Sequence, residues 1–211
     1  PIVVLNDDLP TSNRISYVGI NRYQLGKQAG QVFDKELKEK QLEGDIVIID
    51  GANPSKDVRE RLLYGINEVM EHKGELYFTS IDYGTQSVLT AENIANDILL
   101  KQKQVAGIFC TDPMSTAGTL QVLLDNNRGN DIVLIGVANG IEMIESVKNV
   151  GAVGAMIVFD YYQIAYDAVK AIIEYKETGF VSSYIHPKIE VVTRENVLEV
   201  LLQMEEKENE D

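Results

Sequence analysis

Apolar residues along this chain fall into two alternating rhythms. Short β-branched runs bounded by Gly, Asp or Asn recur at Ile2–Leu5, Ser16–Gly19, Asp45–Asp50, Glu75–Ser80, Val105–Cys110, Asp131–Val137 and Ala152–Val158. They predict strands, because branched side chains fit a pleated, buried surface. Between most of them the apolar positions take a helical period. The stripes are Leu25, Ala29, Val32, Phe33 and Leu37; Val58, Leu62, Ile66, Val69 and Met70; and Ala91, Ile94, Ala95, Ile98 and Leu99. Each lies on one helix face. A later stripe, Ala165, Ala168, Val169, Ile172 and Ile173, runs into Lys-Glu-Thr-Gly, which predicts a helix stop at Gly179. Strand and helix alternate at about 25 to 30 residues per unit, the spacing of right-handed βαβ crossovers. The fold class expected is α/β, a doubly wound parallel sheet covered on both faces. No residue pattern recurs from unit to unit, so the rhythm is not that of a solenoid. Near the C-terminus Thr193 reads as the cap of a last helix, and Glu205–Asp211 as a frayed acidic tail.

Composition narrows the partners. The 211 residues carry 19 Lys+Arg against 33 Asp+Glu, a net charge of −14. A surface that acidic repels phosphate backbones, so nucleic acid is excluded as a partner. No apolar run reaches the roughly 18 residues that a membrane span needs. The opening Pro-Ile-Val-Val-Leu reads as a strand and not as a signal peptide. One cysteine, Cys110, rules out an internal disulfide and a cysteine metal cluster.

In open parallel sheets, ligands sit outside the carboxyl ends of the strands. Here those ends carry hydrogen-bonding side chains one after another: Asn6, Asp7 and Asp8; Gly51 to Lys56, with Arg59 on the next helix; Asp82 and Tyr83; Thr111 and Asp112; Ala138 and Asn139; Phe159, Asp160 and Tyr161. Any one of them could simply cap a helix. Together, with aromatics interleaved, they suit a small polar ligand. Catalytic patterns find less support. His72 and His186 stand outside any metal-ligand spacing, and Cys110 ends an apolar strand with no neighbouring His, as a buried inert thiol would. No P-loop or dinucleotide fingerprint is present, since Gly136, Gly140, Gly151 and Gly154 do not follow a first strand in that spacing. Asp7, Asp112 and Asp160 could pair as acid and base only at a separation that sequence does not fix. A binding protein without cofactor or metal is expected, not an enzyme.

Six segments, in order across almost the whole chain, resemble the type I periplasmic binding proteins of the ribose and galactose kind. They are Pro1-Ile-Val-Val-Leu-Asn-Asp, Ser16-Tyr-Val-Gly-Ile-Asn-Arg-Tyr-Gln-Leu-Gly, Gly51-Ala-Asn-Pro-Ser-Lys-Asp-Val-Arg-Glu-Arg, Ile108-Phe-Cys-Thr-Asp, Ile135-Gly-Val-Ala-Asn-Gly and Gly154-Ala-Met-Ile-Val-Phe-Asp. The resemblance implies two Rossmann-like lobes joined by three hinge strands that close over a ligand. It implies one complete lobe here and part of the other. Residues 1–20 would end the first lobe and enter the hinge, 21–158 form the second lobe, and 159–184 return to the first. Residues 185–203 would supply the last strand and terminal helix, and 204–211 the tail. Carried over by position, the ligand-binding set is Asn6, Asp7, Arg59, Tyr83, Asp112, Asn139, Phe159 and Asp160. Asp and Asn would bond vicinal hydroxyls, the Arg fork two oxygens at once, and the Tyr face a sugar's C–H surface. Ala138 stands where the family usually has Asp, and Phe159 where it has Gln, which points away from ribose.

The function so implied is delivery of a sugar-like solute to the permease of an ABC transporter, at a periplasmic or cell-surface location. The alternative is the ligand-sensing ectodomain of a membrane kinase or chemoreceptor. A lactose-repressor-type effector core would need a helix-turn-helix segment that this sequence does not contain. In the family's order, Ile2–Leu5 is a late strand of its lobe, so it and the Ala165–Ile173 stripe expect cover, from further chain or from a second copy in a dimer.

Overall fold

The computed structural model describes residues 1–6, 8–51, 56–70, 74–81, 86–101 and 104–208. It divides into two compact units, residues Pro1–Asn21 with Phe159–Glu190, and Arg22–Val158 with Val191–Asp211. The chain therefore passes from one unit to the other three times.

The larger unit is built on β3 (Asp45–Asp50), β4 (Leu76–Ser80), β5 (Val105–Cys110), β6 (Val133–Ala138) and β7 (Val153–Phe159), with β9 (Ile189–Val192) closing one edge in the order β4-β3-β5-β6-β7-β9. Every pairing from β4 through β7 is parallel, as the α/β rhythm requires. Alternation along each strand feeds two cores. Val47 and Ile49 join a cluster with residues of α3 (Val88–Lys101), α4 (Pro113–Asp125), α5 (Ile141–Asn149) and α7 (Val197–Glu208). Ile46, Ile48 and Phe109, also fully buried, point the other way, toward α1 (Arg22–Lys40), on which α2 (Lys56–Val69) packs. Gly107 on β5 leaves the space that Phe33 of α1 fills, for a Cβ there would lie 2.7 Å from the Phe33 ring.

The smaller unit holds a parallel sheet of β1 (Val3–Leu5), β2 (Ser16–Val18) and β8 (Tyr184–Ile185), with α6 (Tyr161–Thr178) against β1 and β2. Helix α6 ends at Gly179 in the left-handed conformation, φ 75°, where the lack of a Cβ removes the steric cost. Its Ile164, Ala168 and Ala171 are buried. Val169 and Ile173, from the same sequence stripe, stay 59% and 50% exposed, beside Tyr162 and Tyr166.

Two local expectations need adjustment. The strand expected over 131–137 runs over Val133–Ala138. Helix α7 runs from Val197 through Glu208, so residues 205–208 of the expected tail continue it, and 209–211 lie outside the described residues. Thr193 stands at the entry to this helix as expected: its Oγ1 accepts from Glu195 N–H at 3.3 Å, its carbonyl accepts from Val197 N–H at 3.0 Å, and its own N–H donates to Asn196 Oδ1 at 2.8 Å, the reciprocal bond of a capping box.

Two measurements follow from this packing. A Cβ at Gly26 would stand 2.1 Å from Leu62 O, so Gly26→Ala forces α1 from α2. We expect a loss of about 1–3 kcal/mol in urea unfolding. For α6, Val169→Glu with Ile173→Lys should lower binding of an apolar-surface dye while far-ultraviolet circular dichroism stays unchanged.

Candidate functional site

The strand-end residues of the larger unit gather along the carboxyl edge of its sheet. Arg59, in the first turns of α2, is half-buried and donates from Nη2 to Ser80 Oγ at 2.9 Å. Its guanidinium carbon lies 5.1 Å from the Phe78 ring centroid, within cation–π range. Phe78 and Ser80 are two apart on β4 and so share a face, and Ser80 stands opposite the buried Asp50 in the β3–β4 register.

Asp112 follows β5 and caps α4. Its Oδ1 accepts from the Met114 and Ser115 N–H groups at 2.9 and 3.0 Å. Its Oδ2 accepts from Gly51 N–H at 3.0 Å and from the Ser115 hydroxyl. The loop after β3 and the helix after β5 are thereby tied through one side chain. Thr116, fully buried, donates from Oγ1 to Asp112 O at 2.8 Å and accepts from Val137 N–H at 2.9 Å. Asn139, exposed, sits just beyond β6 and before Gly140, which starts α5 without a side-chain cap.

In the smaller unit, Asn6 takes φ 66°, a left-handed conformation that Asn tolerates. It is held there from both sides: its N–H donates to Val18 O at 3.1 Å and its carbonyl accepts from Tyr17 Oη at 2.7 Å. Asp160 caps α6 by accepting from Gln163 N–H at 2.8 Å. Phe159 is half-buried, its ring edge-on to Tyr161 at 6.1 Å. The structure thus brings Arg59, Asp112 and Asn139 into one unit and Asn6, Phe159 and Asp160 into the other. Asp7 and Tyr83 lie outside the described residues, as do Asp82 and residues 52–55.

Sequence reasoning missed Ser80, Phe78, Ser115 and Thr116. None belongs to a motif, and a serine or threonine in a helix's first turn is too common to single out. A signal was present in α4, whose inward face is Ser115, Thr116 and Thr119 where an ordinary helix would offer Leu or Ile.

Other polar clusters do not converge on these strand ends. A groove of about 490 Å³ between α1 and the β9–α7 turn is lined by Lys35, Glu36 and Arg194, among others. Glu36 there is largely buried, with Arg194 at 3.5 Å and Lys40 at 3.4 Å. Burial holds the Lys40 ammonium below its ordinary pKa even though Glu36 opposes the shift. Arg194 also bonds the carbonyls of Gly151 and Val153, which makes the cluster a brace for the turn into β7. Among the described residues no group of three or more His, Cys, Asp and Glu could hold a metal ion. No helix among them is long and apolar enough to cross a membrane.

Cys110 is fully buried, with Sγ donating to Thr119 Oγ1 at 3.3 Å, and burial pushes its pKa up to about 12. The folded protein should therefore resist a thiol-titrating disulfide reagent at about pH 8, and one thiol should react once the chain is unfolded in guanidinium.

Comparison with known proteins agrees with the architecture. The model of the periplasmic binding protein domain matches residues 1–179. No curated protein sequence matches the chain. Among solved structures, a glucose-galactose binding protein from Geobacillus stearothermophilus is 23% identical, TM-score 0.77, over 93% of this chain and 68% of its own. A carbohydrate-transporter solute-binding protein from Agrobacterium radiobacter, solved with D-arabinose, is 19% identical, TM-score 0.78, over 97% and 70%. The XylFII–LytSN complex matches at 25% identity, TM-score 0.72, over 92% and 68%. With its parallel sheets and a family match spanning most of its length, the chain belongs to the periplasmic binding protein domain family.

Proposed function

We propose that this chain is an extracytoplasmic solute-binding protein that takes a sugar or related small polar ligand and delivers it to an ABC transporter. The observation that carries the reading is Arg59. An arginine fork steered by Ser80 Oγ and the Phe78 ring to the carboxyl edge of a parallel sheet is suited to two adjacent hydroxyl oxygens. Asn139 on the same unit, and Asn6, Asp160 and Phe159 on the other, add amide, carboxylate and aromatic surfaces of the kind that cover a polyol. Asp7 and Tyr83 complete the proposed set. Support also comes from the fold neighbours, whose ligands include glucose or galactose and D-arabinose.

Ala138 offers no acceptor and Phe159 adds apolar area, so the preferred ligand is less hydroxylated than ribose or larger than a free pentose. A second reading is favoured by XylFII, a similar protein solved in complex with LytSN. On that reading the ligand-bound state is passed to a sensor partner and not to a permease.

A thermal-shift and calorimetric screen of D-glucose, D-galactose, D-arabinose, D-xylose and D-ribose tests the proposal. At least one sugar other than ribose should bind, and Arg59→Ala should weaken it about tenfold or more. Binding by none of the five, or full affinity in Arg59→Ala, would sink the reading. Micromolar ribose binding would overturn the preference against that pentose.

A further inference from the structure

We infer that Asp112, Ser115 and Thr116 are positioning residues, which lock the carboxyl ends of β3, β5 and β6 together before any ligand arrives. The inference rests on the sugar-binding reading and deepens it, because it moves Asp112 from ligand contact to support.

A carboxylate offers about four lone-pair sites. Both oxygens of Asp112 carry two protein donors each, the N–H groups of Met114 and Ser115 on one, Gly51 N–H and the Ser115 hydroxyl on the other. A sugar hydroxyl would have to displace one of them. Ser115 and Thr116 are both 0% exposed, so neither touches a ligand. What they do is continue the connection. Gly51 N–H bonds the Asp112 side chain, the Asp112 carbonyl accepts from Thr116 Oγ1, and that oxygen accepts from Val137 N–H. The path starts where β3 ends, crosses β5 and reaches β6 two residues before Asn139. Buried hydrogen bonds in series polarise one another, so they act as a unit more than separate bonds in water would.

The backbone approaches leave no slack for the path to loosen. A Cβ on Gly51 would stand 2.4 Å from Asp112 Oδ2, and one on Gly136 would stand 2.2 Å from Thr116 Cγ2. Holding strand ends in place beforehand removes ordering cost from the binding step, which is the physical content of positioning.

Thr116→Val keeps the side-chain shape and removes the hydroxyl. Amide hydrogen exchange by nuclear magnetic resonance should quicken about fivefold or more at Val137, which loses its acceptor. It should quicken similarly at Gly51, which Thr116 does not touch. Affinity for whichever of the five screened sugars the unaltered protein binds should fall about fivefold, and Thr116→Ser should restore both readouts. Unchanged exchange at Gly51 would overturn the inference, since the bonds would then be independent. Faster exchange at both amides with unchanged sugar affinity would also overturn it, leaving a purely structural network. Should Thr116→Val fail to fold, Ser115→Ala, which removes a single donor from Asp112, is read by the same criteria at Gly51. If the unaltered protein binds none of the five sugars, it is the sugar reading that fails. The Gly51 exchange rate then decides the coupling of the three strand ends, with faster exchange supporting it and unchanged exchange overturning it.

Discussion

Two helices can approach to backbone contact only where neither presents a side chain, and α1 and α2 meet in that way. Gly26 and Gly30 of α1 face Leu62 and Ile66 of α2, and Gly65 of α2 faces Tyr23 of α1, with backbone atoms filling the places where Cβ atoms would be. Helix α1 is itself seated on the sheet by Phe33 over Gly107. The position of α2 is therefore inherited from β5 through two close contacts. Arg59 rides on α2, so its meeting with Ser80 and Phe78 on β4 depends on residues that carry no chemistry of their own.

Much of this was legible in the pattern of apolar positions. Strands such as Asp45–Asp50 and Val105–Cys110 announce themselves because both faces are buried and most positions are β-branched or small. Helices α1, α2 and α3 show clean stripes for the same reason. Helix α4 showed none, since its first turns bury hydroxyls and Gly118 and only Val122 and Leu123 add large apolar groups, and periodicity of hydrophobicity cannot register a polar buried face. Thr193 was legible for a different reason. Its hydroxyl accepts from Glu195 N–H while Asn196 Oδ1, three residues on, accepts from its own N–H, a reciprocal arrangement that a Thr-x-x-Asn pattern before an apolar run can announce.

The candidate site was legible as a set of strand ends and not as a set of contacts. Asp is the natural residue both for a helix cap and for a sugar hydroxyl, and sequence does not separate the two uses. In the structure, Asp112 and Asp160 each spend acceptors on the first turn of the helix that follows. Arg59 differs because a guanidinium has no capping role at a helix start, so its place near a strand end carries more information than either aspartate does.

The three passages between the units have a consequence for how the chain folds. Tyr17 pairs with Tyr184 and Val18 with Ile185 in the smaller unit's sheet, so that sheet closes around an excursion comprising most of the other unit. The entropy lost in joining such distant segments is reduced once the intervening chain is compact. The larger unit is interrupted too, for α7 reaches it only after α6 and β8 have been made. Synthesis therefore leaves β1 and β2 without β8 until the intervening segment has been made. Closure of the smaller unit's sheet is thus a long-range pairing that folding of the larger unit makes less costly.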